Sequence, residues 1–167
     1  MELEEFRAKV IPTSDKLCRF ALRLLKNKQE AEDVVQDVLV KLWNRRKDIG
    51  TYKNPEAFAM TVTKNMCLDI LRTRKRFVDN EPRDEPDRKT PLDVAEWNDV
   101  RSQIDNAMNT LPEQQKMIVQ LRDIEGYDYE EIAQILEINV NTIRVNLSRA
   151  RAKIREILTN TYSYGLE

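Results

Sequence analysis

Residues 128–157 read DYEEIAQILEINVNTIRVNLSRARAKIREI, and the way this stretch divides decides the fold. Asp128, with Glu131 three residues on, forms a capping-box-like start, so a helix is expected over DYEEIAQILE. INVN breaks that helix, and NTIRVNLSRARAKIRE resumes with Ile143, Leu147, Ala150, Ile154 and Ile157 as its buried face. This is helix-turn-helix spacing, with Ala133 small enough to let the two helices approach. The first helix carries four acids and no base, whereas the second carries Arg144, Arg149, Arg151, Lys153 and Arg155 against Glu156 alone. Its early turns present Asn141, Arg144, Val145, Ser148 and Arg149, and Arg and Asn side chains can read base edges in a major groove while Arg and Lys neutralise phosphates.

Upstream, three of the six prolines, Pro82, Pro86 and Pro91, fall in DNEPRDEPDRKTPLD, residues 79–93, which has no apolar periodicity. It reads as an extended acidic linker, expected over 79–95, between an N-terminal module (1–78) and a C-terminal one (96–167). Charge follows the same division. Residues 1–78 hold 17 Lys/Arg against 11 Asp/Glu, residues 79–99 hold 3 against 8, and the remainder holds 8 against 10.

The N-terminal module also reads as helix. Ser14 to Leu25 carries a stripe of Leu17, Phe20, Ala21, Leu24 and Leu25. From Glu30, Ala31, Val34, Val35, Val38, Leu39, Leu42 and Trp43 keep helical spacing while Asp33, Gln36, Asp37 and Lys41 take other faces. A third helix opens at Asn54-Pro55-Glu56, with an Asn cap, a first-turn proline and an early acid, and is expected to run to about Arg76. Ala59, Val62, Met66, Ile70 and Phe77 should be its packed face. Opposite them, Thr61, Lys64, Asn65, Arg72, Lys75 and Arg76 gather within an arc of about 120° as a basic stripe. The fold class is therefore all-α: two small helical domains joined by an acidic flexible linker.

Composition excludes several classes. With no histidine, and with Cys18 and Cys67 each alone among apolar neighbours, no zinc site or histidine triad is expected. Three glycines, Gly50, Gly126 and Gly165, cannot build a phosphate-binding loop. No run is long and apolar enough to span a bilayer and MELEEFRAKV lacks a signal pattern, so a cytoplasmic protein without membrane insertion is expected. No catalytic centre, metal or cofactor is expected.

The run TLPEQQKMIVQLRDIEGYDYEEIAQILEINVNTIRVNLSRARAKIRE resembles region 4 of extracytoplasmic-function sigma factors. EAEDVVQDVLVKLW followed by NPEAFAMTVTKNMCLDILRTRKR resembles their region 2. The resemblance runs from about Phe6 to Leu158 and implies a sigma factor that binds core RNA polymerase, recognises -35 and -10 promoter elements, and melts the -10 region. It implies core binding by Asp33, Gln36 and Asp37, which by themselves read as a solvated face. It implies -10 binding by Phe58, Thr61, Lys64, Asn65, Arg72, Lys75 and Arg76, with Asn65 at a base pocket. Single strands are held by cationic grooves and aromatic or polar pockets, although Phe58 is equally consistent with a core position. It implies -35 binding by Asn141, Thr142, Arg144, Val145, Ser148 and Arg149. An anti-sigma factor is the further expected partner. Relatives often carry Gly where Glu137 stands before the turn, and Val145 and Asn146 replace frequent Ser, Lys or Arg, so the promoter sequence is left open.

Two other readings compete. A stand-alone helix-turn-helix regulator accounts for residues 128–157 but leaves the basic stripe and the acidic spacer without a purpose. A magnesium site on Glu32, Asp33 and Asp37 lacks any Lys, His or glycine loop to complete a catalytic constellation, and amphipathic packing accounts for the spacing.

Overall fold

The computed structural model describes residues 1–78 and 96–165, all in helices and their connections; the acidic spacer expected over 79–95 lies outside the described residues. In chain order the elements are α1 (Leu3–Lys9), a 3-10 turn (Ile11–Thr13), α2 (Ser14–Leu25), α3 (Lys28–Asn44), α4 (Arg46–Ile49) and α5 (Pro55–Val78). After the spacer come α6 (Glu96–Asn109), α7 (Glu113–Val119) continued by a π turn (Gln120–Ile124), α8 (Tyr129–Leu136) and α9 (Val140–Gly165).

The apolar stripes predicted for α2 and α3 are the ones that pack. Leu17, Phe20, Ala21, Leu24 and Leu25 of α2 are buried, as are Ala31, Val34, Val35, Val38 and Leu42 of α3. Between them, Lys26 turns the chain through a left-handed φ of 56°, and the Asn27 side chain then caps α3 by accepting from the Glu30 amide at 3.0 Å. Helix α3 thus starts two residues before the expected Glu30. Asn54 caps α5 as its sequence indicates, Oδ1 accepting from the Ala57 amide at 3.0 Å.

Helix α5 departs from expectation in two respects. Its packing is two-sided: α2 and α3 lie on one side and α8 on another. Ala59 is buried, with Val62, Met66 and Ile70 half-buried against the core, but Ala57, Met60 and Cys67 form a second buried line about 120° around the helix. Lys64, at the edge of the basic stripe adjoining that line, is therefore buried at 6% exposure. The second departure is Phe77, expected in the packed face and found 65% exposed. One turn earlier Arg74 reaches the Leu25 carbonyl at the end of α2 (2.8 Å), so the last turn of α5 runs beyond the helix that covers it.

The two helical units close into one apolar cluster that runs from Phe6 through Met60 to Ala150. Gly126 makes the turn into α8 at φ 80°, a conformation that side chains rarely adopt.

Cys67 lies fully buried in this cluster, and burial pushes its thiol up to about 12. At pH 8 almost none of it is the reactive thiolate. In a Cys18→Ser background, Ellman's reagent at pH 8 should label Cys67 only as fast as the protein unfolds, and labelling should become immediate in denaturant.

Candidate nucleic-acid interface

The helix-turn-helix is built by its caps. Asp128 accepts from the Glu131 amide at 2.8 Å while Glu131 accepts from the Asp128 amide at 3.2 Å, a complete capping box that starts α8. The helix ends at Glu137, whose φ of 58° places a non-glycine residue in the left-handed region. Asn139 then starts α9, its Oδ1 accepting from both the Thr142 amide (2.8 Å) and the Thr142 hydroxyl (2.9 Å). Thr142, expected among the -35-binding residues, is half-buried and its hydroxyl serves this cap.

Ile143, Leu147 and Ala150 hold α9 in the core, and Ile154 and Ile157 are half-buried further along. Asn141, Arg144, Val145, Ser148 and Arg149 are all exposed, within an arc of about 140°. Two cations pack on the ring of Tyr129, the Arg122 guanidinium 4.6 Å and the Arg144 guanidinium 5.5 Å from its centroid. Arg122 also donates to the Tyr127 carbonyl at 2.9 Å, and Arg151 binds Asp123 through two nitrogens. Tyr129 was not predicted as a site residue. Its only sequence signal is an aromatic in the first turn of an otherwise acidic helix.

The basic stripe of α5 divides. Asn65, Arg72, Lys75 and Arg76 are exposed, and Arg72 also donates to Asp69 at 3.1 Å. Thr61 is half-buried, its hydroxyl donating to the Ala57 carbonyl at 2.9 Å. Lys64 departs from the expected solvent-facing role: Nζ donates to the Ile135 carbonyl, at the end of α8, at 2.8 Å. Desolvation holds its ammonium below the usual lysine range, offset in part by Glu137. Phe58 is half-buried against the core, edge-on to Tyr52 with centroids 5.0 Å apart. Tyr52 is itself exposed and was missed, because it lies in the α4–α5 connection where periodicity carries no information.

Asp33, Gln36 and Asp37 are exposed together on α3, Asp33 accepting from the Gln29 amide group at 3.0 Å. Val40 continues the same face, 58% exposed, an apolar side chain off the buried stripe and a third residue that sequence reasoning missed. Among the described residues no cluster of three or more His, Cys, Asp or Glu could hold a metal ion, and no helix is long and apolar enough to cross a membrane.

Residues 13–77 match the family model for sigma-70 region 2, and residues 101–154 that for sigma-70 region 4. Among curated relatives, the ECF RNA polymerase sigma factor SigL of Mycobacterium tuberculosis is 31% identical over 143 residues, covering 83% of this chain and 80% of that protein. The RNA polymerase sigma-E factor of Streptomyces coelicolor is 28% identical over 157 residues, covering 94% and 88%. The ECF RNA polymerase sigma factor SigE of Mycolicibacterium smegmatis is 28% identical over 155 residues, 87% of this chain, which spans 58% of that longer protein. Among solved structures, the sigma factor RpoE of Bartonella quintana, crystallised with the anti-sigma factor NepR, superposes with a TM-score of 0.76 at 26% identity, covering 94% of this chain and 98% of that one.

Replacing Glu137 by Gly should stabilise the protein by about 0.5–1 kcal/mol, since glycine adopts the left-handed turn without a Cβ clash and gives back part of the gain as unfolded-state entropy. Asp128→Ala should cost about 1 kcal/mol through loss of the capping box. Urea midpoints at constant m-value check both.

Proposed function

The chain belongs to the sigma-70 family of RNA polymerase sigma factors, in its extracytoplasmic-function branch, and on that footing we propose that three faces divide its work. The α3 face of Asp33, Gln36 and Asp37, continued by Val40, docks on core RNA polymerase. The α9 face of Asn141, Arg144, Val145, Ser148 and Arg149 reads the -35 element as duplex. The α5 face of Asn65, Arg72, Lys75 and Arg76, with Phe58 and Tyr52 beside its start and Lys64 at its edge, takes the -10 element as it melts. No chemistry is asked of the protein, which acts in the cytoplasm by positioning polymerase on promoter DNA. The RpoE superposition supports an anti-sigma factor as a further partner.

The observation that carries the reading is the pairing of unlike surfaces on one chain. A rigid helix with Arg and Asn at its exposed start suits a duplex groove, where bidentate side chains discriminate bases. A long basic helix edged by aromatic rings suits an unstacked single strand. The acidic α3 face fits neither nucleic acid and is left for a protein partner. Arg144 is held ready for its role by the Tyr129 ring, which orients the guanidinium without neutralising it.

Transcription from a genomic fragment library with core polymerase of the same organism tests the reading. New 5' ends that require the protein and share two spaced motifs are expected; tight duplex binding by the protein alone, without new starts, would favour a stand-alone regulator. Asp33→Arg with Asp37→Arg should weaken core binding about tenfold, read by competition against another sigma factor. Arg144→Ala should weaken promoter binding by about 1–3 kcal/mol and relax sequence preference at one -35 position.

A further inference from the structure

Lys116 is the one cation of α7, and it is buried without an acceptor. The residue is 9% exposed, yet among the described residues its ammonium has no hydrogen-bond or ion-pair partner. Nζ is not sealed in, because it keeps an opening to solvent. One turn later on the same helix face, Gln120 is 2% exposed and accepts from Arg23 of α2 at 3.0 Å. Arg23 also donates to Asp105 of α6 at 2.8 Å. Three residues on, Lys26 follows the end of α2 in left-handed backbone, exposed and without an ion pair. The end of α2 therefore meets this face of α7 with cations, while Glu113, one turn before Lys116, makes no ion pair with it.

We propose that Lys116 and Lys26, with Arg23 beside them, form an anion site that takes one phosphate group, either the free ion or the terminal phosphate of a nucleotide. None of the three belongs to the α3, α5 or α9 faces assigned above, so the site is separate from the promoter and polymerase surfaces. Two nitrogens of Arg23 are already engaged by Gln120 and Asp105, so it supplies charge while the two lysines supply the contacts. Ammonium groups act as point charges and suit a compact anion with several oxygens, without the planar match that an arginine fork demands. A dianion balances the two lysines that lack a paired acid.

The energetics of the empty site favour occupation. Burial strips the Lys116 ammonium of hydration that no protein acceptor gives back. Desolvation first, then the charge of Lys26, holds it below the usual lysine range, with Glu113 acting against this and Arg23 adding to it. An anion supplies the missing acceptor and opposes the repulsion among the three cations. Because the site draws its cations from α2 and α7 together, the anion binds only while these helices face each other, and it adds to the stability of the folded chain.

The test is thermal unfolding of the full chain at neutral pH, titrated with inorganic phosphate and, separately, with ATP free of magnesium, at an ionic strength held constant with sodium chloride. Phosphate at ten times its dissociation constant should raise the midpoint of the parent by about 3–6 °C. Phosphate also stabilises proteins by exclusion from their surface, which acts on every variant alike, so the reading is the difference between chains. Lys116→Met keeps the apolar stem and removes an unpaired buried charge. It should unfold no lower than the parent without phosphate and should lose the specific rise. Lys26→Gln, an exposed change that serves if Lys116→Met fails to fold, should weaken phosphate binding about tenfold. A variant-sensitive rise with both ligands shows that the phosphate group suffices, and one with ATP alone shows that the ligand is a nucleotide; either result supports the site. No rise in the parent with either ligand, or a rise that survives undiminished in either variant, overturns it.

Discussion

Helix α5 gives a cation to the carbonyl end of each of two other helices, and the arrangement of the chain depends on these two contacts. Arg74 donates to Leu25 at the end of α2, and Lys64 donates to Ile135 at the end of α8. Both receiving helices terminate in a non-glycine residue of left-handed backbone, Lys26 and Glu137. A helix end leaves carbonyls without intrahelical partners and carries partial negative charge, so a cation there satisfies a hydrogen-bond acceptor and opposes the dipole together. The first contact ties α5 within the N-terminal unit and the second ties it to the C-terminal unit.

The geometry that follows sorts the charges of a nearly neutral chain. Acids gather on α3 and at the start of α8, and bases gather along α5 and α9. Where acid and base surfaces meet, at Arg19 with Glu125 and Arg23 with Asp105, they hold the units together. Where they do not meet, they remain available to partners of opposite sign. One chain can therefore present one acidic face and two basic faces without collapsing them on one another.

The helix-turn-helix and the first two long helices were legible because each buries one stripe, and a single stripe leaves a single period. Asp128 and Glu131, Asn54 and Pro55, and the Leu17–Leu25 stripe all occupy the places their sequence signals imply. Helix α5 was legible only in half. A helix buried on two sides superimposes two stripes, and the second, Ala57, Met60 and Cys67, is interrupted by Lys64, so it reads as solvent-facing. Tyr129 and Tyr52 were missed for a different reason: their roles come from neighbours distant in sequence or from a connection without periodicity.

By itself the sequence determined the all-helical class, the caps, and the family, because these rest on local spacing and on neighbours within a turn of one another. The tertiary structure alone decided that the units dock, that Lys64 is buried rather than exposed, and that Glu125 rather than a more prominent acid receives Arg19. Those outcomes join residues 71 and 106 positions apart. Side-chain hydrogen bonds across such separations depend on how two preformed surfaces meet, a quantity to which no local period corresponds.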